Sequence, residues 1–236
     1  KKFILMPYYF KKYKVDLVHE LNHIWPFAFD KYRKYKTITT VFDLTPILFS
    51  QFHDSINVRW NKFFLWKTLK SSDKIITISE NTKIDSIKIF PSLKKNNIYS
   101  ILLWTNILER KEDKSLHFDF PFILSVWTLE PRKNLRLLIK AFIKLKEEKS
   151  IKEKLVLVWK KWWKIEGLFD ELKLNKKYKD DIILTWFISD EQLVHLYKTA
   201  KVFVYPSLYE WFWLPVLEAM TLWAPVITSN ISSLPE

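Results

Sequence analysis

Two carboxylates eight residues apart, Glu210 and Glu218, bracket a turn and the start of an apolar helix in Tyr209-Glu210-Trp211-Phe212-Trp213-Leu214-Pro215-Val216-Leu217-Glu218-Ala219-Met220. Pro215 suits a first helical turn, where its missing N–H costs nothing, and Val216, Leu217 and Met220 supply an apolar face. Glu218 then lies inside the helix and Glu210 in the loop before it. Further upstream, Arg132-Lys133 stands just before a helix that begins at Asn134. The N–H groups at that helix start, together with two cations, are suited to hold a diphosphate. Taken alone, either pair reads equally well as solvated surface charge.

The elements that must position these groups alternate along the second half. Strands are expected at 122–126, 154–158, 182–185, 202–205 and 225–228, and helices at 134–147, 164–173, 189–198 and 214–222. Leu135, Leu138, Ile139 and Phe142 make a helical stripe, and Ser189 with Gln192 makes a capping box. In the first half, apolar runs at 15–19, 37–42, 74–79 and 97–103 read as buried parallel strands. A helix at 57–70 would turn Phe63, Phe64 and Trp66 or Leu69 inward. Ser79 caps a second helix from Glu80, which Ile84, Ile87 and Ile89 hold to the sheet until Pro91 stops it. The charged segment 109–114 has linker composition, so the expected domains are 1–113 and 114–236. Strand–helix alternation of this kind implies an α/β fold with parallel sheets covered on both faces. It also places Glu210 at a carboxyl edge, where such sheets bind ligands.

The stretch from Glu210 to Met220 resembles the Glu-x7-Glu signature of the family 4 retaining glycosyltransferases, usually Glu-Gly-Phe-Gly-Leu-Pro-Val-Leu-Glu-Ala-Met. Only Trp211 and Trp213 differ, each standing where the family has glycine. Ser125-Val126-Trp127-Thr128-Leu129-Glu130-Pro131-Arg132-Lys133-Asn134 resembles that family's donor-phosphate loop, with Trp127 for glycine. Leu157-Val158-Trp159-Lys160-Lys161-Trp162-Trp163, Thr185-Trp186-Phe187, Leu222-Trp223-Ala224-Pro225 and Leu103-Trp104-Thr105-Asn106 repeat the exchange. Ser72 to Thr82 matches a further family segment.

The resemblance implies a GT-B fold, two Rossmann-like doubly wound parallel-sheet domains facing a cleft, the first incomplete and acceptor-side, the second binding the donor. It implies that Glu218 accepts from the ribose hydroxyls, and that Glu210 serves the donor sugar together with the backbone of Trp211, Phe212, Trp213 and Leu214. Trp127, Thr128, Arg132 and Lys133 would hold the diphosphate, and Trp186, Phe187 and Ile188 would border the base. Thr128 stands where relatives often carry a further Arg. The catalytic groups implied are Glu210, Lys133 and Arg132, stabilising a departing diphosphate that helps deprotonate the acceptor on the same face. Relatives often have a histidine in the first domain where this chain has Phe42, which leaves His19, His23 and Asp43 as acceptor-side candidates. No cofactor is implied beyond the nucleotide-sugar co-substrate. No metal is implied, since no Asp-x-Asp pair or histidine cluster stands ready.

Composition bears on the glycine exchanges independently. A chain of 236 residues should carry roughly 16 glycines, yet it has one, Gly167, beside 12 tryptophans. Strand-to-helix turns of a doubly wound fold need positive φ and close backbone approach to phosphate. An indole at 127 would fill the space a diphosphate requires. Some bacterial lineages decode UGA as glycine, and reading UGA as tryptophan would write this sequence. The expectation is UGA at 127, 159, 162, 186, 211, 213 and 223 and UGG at 163, with Trp25, Trp60 and Trp66 undecided.

The chain begins at Lys1 and ends at Glu236 after a strand and loop, and it is read as a fragment. It has no cysteine, hence no disulfide framework or thiolate metal site, which suits a reducing, cytoplasmic compartment. No apolar run approaches a membrane span of about 18 residues. The net charge is +13, but with 5 Arg among 39 basic residues and lysines on nearly every polar face, it lacks the stripe and motif of a nucleic-acid binder. An anionic membrane surface bearing lipid-linked acceptors fits the charge better. The expected activity moves a sugar, GDP-mannose being the favoured donor, to a glycan or lipid-linked acceptor in cell-envelope polysaccharide synthesis. The alternatives are a silent nucleotide- or glycan-binding remnant, or another GT-B enzyme such as a glycan synthase or epimerase.

Overall fold

Short β-branched runs separated by amphipathic stretches favour parallel strands joined by helical crossovers, and that is the arrangement in the computed structural model. The structure describes residues 2–21, 30, 33–49, 55–93, 95–127, 130–159, 176–185 and 187–236. The chain divides into two compact units, Lys1–Leu103 with Glu236, and Trp104–Pro235.

The first unit holds strands β1 (Leu17–Glu20), β2 (Lys36–Val41), β3 (Lys74–Thr77) and β4 (Ile98–Ser100), all parallel, in the order β1-β2-β3-β4. Helices α1 (Lys2–Lys12), α2 (Thr45–Leu48), α3 (Ser55–Ser71) and α4 (Glu80–Ile89) accompany them. Ser79 caps α4 as its sequence suggests, accepting from the N–H of Thr82 at 3.0 Å. Two packing expectations need correction. In α3, Leu69 is buried as expected and Trp66 packs partly against the same core, but Leu65 and Thr68 fill the rest of the buried face and Phe63 is exposed. In α4, Thr82, Asp85 and Ser86 are buried and Ile84 is exposed. The first strand starts at Leu17, opposite Lys36, and Val15 packs instead beside Val18 and Tyr35. Strand β4 is shorter than the expected 97–103. Helix α1 was not anticipated.

The second unit runs β5 (Phe122–Trp127), α5 (Leu135–Lys149), β6 (Lys154–Trp159), β7 (Ile182–Thr185), α6 (Asp190–Thr199), β8 (Val202–Tyr205), α7 (Leu214–Thr221) and β9 (Val226–Thr228). Its five parallel strands take the order β7-β6-β5-β8-β9. Side chains alternating along β5 and β6 feed two cores. Leu124, Val126, Val156 and Val158 pack with Leu193, Leu196, Tyr197, Val216 and Ala219 of α6 and α7. Trp127, Leu155 and Leu157 pack with Leu138, Ile139, Phe142 and Ile143 of α5. Burying a side chain such as Ile139 contributes about 2 kcal/mol. The helix expected at 164–173 lies outside the described residues.

Helix boundaries follow local chemistry. Both halves of the Ser189–Gln192 capping box form at the start of α6, at 3.0 and 3.1 Å. Pro215 sits in the first turn of α7, whose buried face is Val216 and Ala219 rather than Met220, which is exposed. The segment preceding β5 belongs to the second unit: Ile107 is buried in its core, and the N–H of Asp113 donates to the carbonyl of Glu191. Among the described residues no helix is long and apolar enough to cross a membrane.

Candidate functional site

In the second sheet the crossovers leave in opposite directions on either side of β5 and β8, which are adjacent in space but not in sequence. Loops leaving the carboxyl ends of two such strands diverge and open a crevice, the usual ligand site of an open α/β sheet. After β5 come Glu130 and a 3-10 turn at Pro131–Lys133; after β8 comes the loop to Glu210. Asn134 follows the turn at φ 58° and ψ 37°, a left-handed conformation that asparagine tolerates. Its side-chain amide donates to the carbonyl of Pro206 at 3.3 Å, and the N–H of Leu208 donates to the carbonyl of Arg132 at 2.7 Å. The two loops are thereby stitched together.

That stitching brings Arg132, Lys133 and Glu210 into one buried cage. Arg132 Nη1 donates to Glu210 Oε2 at 2.7 Å and to the carbonyl of Tyr209 at 2.9 Å, while Arg132 Nε donates to Glu130 Oε2 at 2.6 Å. Lys133 Nζ donates to Glu210 Oε1 at 2.5 Å and to the Tyr205 hydroxyl at 2.6 Å. The side chains of Arg132, Lys133 and Glu210 are 4%, 7% and 2% exposed. Two cations thus face two carboxylates in a setting of low dielectric, where each hydrogen bond is strong and each missing one costly. Burial pushes the Lys133 ammonium below its ordinary pKa, more than Glu210 restores. For Arg132 burial acts in the same direction, but Glu210 and Glu130 outweigh it and raise the guanidinium. The Tyr205 phenol is pushed well up by burial and then by the charge of Glu210.

Residues that spacing did not point to hold this cage in place. Ser232 Oγ accepts from the N–H of Glu210 at 2.8 Å, and Ser233 Oγ donates to its carbonyl at 2.9 Å. Tyr205, read only as the end of a strand, touches Lys133 directly. The serine-rich composition after β9 was the only trace of the first two in the sequence.

The indoles crowd the same place. Trp211 lies over Arg132, its ring centroid 4.4 Å from Cζ. Trp127, 3% exposed at the end of β5, stacks on Tyr205 with centroids 6.0 Å apart. Trp213 stacks on Phe212 at 5.2 Å. Among the described residues, the buried Nε1 atoms of Trp127 and Trp213 have no hydrogen-bond partner. Each such orphan costs about 1–3 kcal/mol.

The other sequence candidates are placed as follows. Glu218 lies on α7 and accepts from the Tyr197 hydroxyl at 3.3 Å. Phe187 is largely exposed, Ile188 is buried in the core, and Leu214 opens α7. In the first unit, His19 Nε2 meets Thr40 Oγ1 at 2.8 Å, and Asp43 Oδ1 accepts from the N–H of Thr45, the first residue of α2, at 2.5 Å. Thr128, Trp186 and His23 lie outside the described residues.

The family described as Glycosyl transferases group 1 matches residues 108–236. The O-antigen chain mannosyltransferase B of Escherichia coli is 29% identical over 235 residues, covering 96% of this chain and 60% of that protein. Sucrose-phosphate synthase from Thermosynechococcus elongatus superposes with a TM-score of 0.74 at 21% identity, over 97% of this chain and 59% of its own. Anabaena HepE, solved in complex with UDP and glucose, has a TM-score of 0.68 at 16% identity, over 94% and 61%. The two structural likenesses establish the fold as GT-B. The chain spans about three fifths of each of these proteins.

Proposed function

Because this chain belongs to the group 1 glycosyl transferases, we propose that it transfers a sugar from a nucleotide-diphosphate donor, GDP-mannose by preference, to a glycan or lipid-linked acceptor, with retention of anomeric configuration. The observation that carries the reading is the cage of Arg132, Lys133 and Glu210 at the divergence of β5 and β8. The matched family segment contains all three residues. In this reading Glu210 faces the donor sugar, and Lys133 and Arg132 stabilise negative charge on the leaving diphosphate without a metal ion. The mannose preference rests on the O-antigen relative; HepE, seen with UDP, keeps a uridine donor as the alternative to test.

The reading also requires that the indoles at the site be glycines in the living protein, encoded by UGA. What supports it is backbone geometry as well as crowding. Trp223 has φ 64°, and its N–H donates to the carbonyl of Met220 while that of Ala224 donates to Ala219. Those two bonds make a Schellman end to α7, whose left-handed position is ordinarily glycine and is a poor place for a bulky residue. The Trp223 side chain is 93% exposed, so it gains nothing by packing. Trp223→Gly is therefore expected to stabilise the chain by about 1 kcal/mol, read as a higher urea midpoint; an unchanged or lower midpoint counts against glycine at 223. By contrast Trp66 lies inside α3, donates to Ser92 Oγ at 3.4 Å and packs on the core, as a genuine tryptophan would. UGG at 66 and UGA at 127, 211, 213 and 223 is the pattern to look for in the gene.

The direct test is to offer GDP-mannose, UDP-glucose and UDP-N-acetylglucosamine to the chain with glycine at those positions, within its full-length protein, and to measure nucleoside diphosphate release with and without acceptor. Release only with acceptor, and an α-linked product from an α-linked donor, is expected. Release without acceptor would point to an epimerase, and donor binding with no release under either condition to a silent nucleotide-binding remnant. Glu218→Ala should raise the donor KM several-fold with little change in kcat, since ribose contacts are made equally in the ground and transition states. An unchanged KM would remove Glu218 from the donor site. A bilayer location for the acceptor would suit the exposed Lys11, Lys12, Lys14, Tyr8, Tyr9 and Tyr13 of the first unit, and salt-sensitive sedimentation with phosphatidylglycerol vesicles checks it.

A further inference from the structure

Two histidines far apart in sequence meet on the second unit. His195 is on α6 and 5% exposed; His117 lies in the segment leading to β5, its side chain 56% exposed. His195 Nε2 and His117 Nδ1 face each other at 3.3 Å, with ring centroids 5.6 Å apart. Each ring has a carboxylate at its other nitrogen. Glu112 Oε1 lies 2.8 Å from His195 Nδ1, and Asp119 Oδ1 lies 3.4 Å from His117 Nε2. Glu112 is itself held by Lys198 at 2.7 Å.

Glu112 accepts from His195 Nδ1, so the His195 Nε2 lone pair faces His117 Nδ1, and with the His117 proton on that nitrogen the two rings simply share a hydrogen bond. With the His117 proton on Nε2, toward the exposed Asp119, both inner lone pairs converge on one point, where a cation can take the place of the shared hydrogen. We infer that His117 and His195 form a binding site for a divalent transition-metal ion of the imidazole-preferring class, zinc, nickel or copper. With metal–nitrogen bonds near 2.0 Å, two imidazoles at a tetrahedral angle stand about 3.3 Å apart. A carboxylate behind each ligating histidine is the usual support for such a ring, fixing its tautomer and raising its basicity. Among the described residues no three potential ligands converge. The protein therefore supplies two, and the exposed side of His117 admits water to the remaining positions.

A bound ion would fasten the segment carrying His117 to α6. The same two pieces are already tied by the Arg110–Asp190 ion pair, by the N–H of Asp113 donating to the carbonyl of Glu191 at 3.1 Å, and by Gln192 Nε2 donating to Ser115 Oγ at 3.0 Å. The ion would add a stabilising cross-link there, and it takes no part in sugar transfer.

The test is calorimetric titration of the tag-free, chelator-treated chain with nickel and zinc chloride, paired with thermal unfolding. Saturable uptake of one equivalent and a raised unfolding midpoint are expected for the wild type, both lost in His117→Ala. Because His117 is at the surface, that variant keeps the fold. Glu112→Gln should weaken binding roughly tenfold while leaving the stoichiometry at one. No uptake by the wild type, which would mean that a proton fills the gap, overturns the inference. So does equal uptake by His117→Ala.

Discussion

Glu210→Ala is expected to lower the unfolding free energy by about 3–5 kcal/mol, the cost of leaving buried charges uncompensated. Glu210 is 2% exposed at its side chain and accepts from both Arg132 and Lys133, which are themselves buried. Removing its carboxylate leaves Lys133 with the Tyr205 hydroxyl and Arg132 with Glu130 and a backbone carbonyl. The guanidinium cannot shed its proton, and the ammonium, already pushed down by burial, would do so to avoid standing charged and unpaired. Glu210→Gln keeps two polar atoms in place and should cost less than the alanine variant. Urea unfolding of the three chains measures the series. A loss below about 1 kcal/mol in Glu210→Ala would mean that water reaches the cations, since that is the range of exposed ion pairs.

Lys133→Ala, made in the chain with glycine at 127, 211, 213 and 223, is expected to reduce kcat by roughly 10²–10³-fold, the usual effect of deleting one donor aimed at developing negative charge. The ammonium is anchored at 2.6 Å by Tyr205 and at 2.5 Å by Glu210, so its position is set before substrate arrives. Preorganisation of this kind acts on the transition state more than on binding, and the donor KM should change little. Lys133→Arg should not restore turnover, because a planar guanidinium does not fit a point occupied by a compact ammonium. Steady-state release of nucleoside diphosphate reads both variants. Turnover within about threefold of the parent enzyme would take Lys133 out of the reaction and leave it a structural ion-pair partner.

The structural lesson lies in how different kinds of information travel along a chain. The capping box of α6, the Ser79 cap of α4, the Pro215 helix start and the core stripe of α5 are written in neighbouring residues, and each forms where its spacing indicates. Phe63, Ile84 and Met220 went the other way, because several apolar residues on one helix compete for a buried face and only the packed sheet selects among them. Arg132, Lys133 and Glu210 could be named from the residues around them. Nothing in their spacing said that they would neutralise one another inside a closed cage. Tyr205, Ser232 and Ser233 were missed because a strand-end phenol and two loop serines carry no periodic signal.

By itself the sequence determined the α/β alternation, the family motif and the tryptophans that stand where the family has glycine, since these depend on residues near one another and on composition. Tertiary structure alone decided that the segments after β5 and β8 meet, that Trp223 occupies a left-handed turn, and that His117 faces His195. Such contacts join positions many residues apart, and a chain closes those distances only when its strands take their places in the sheet, so no local pattern can encode them.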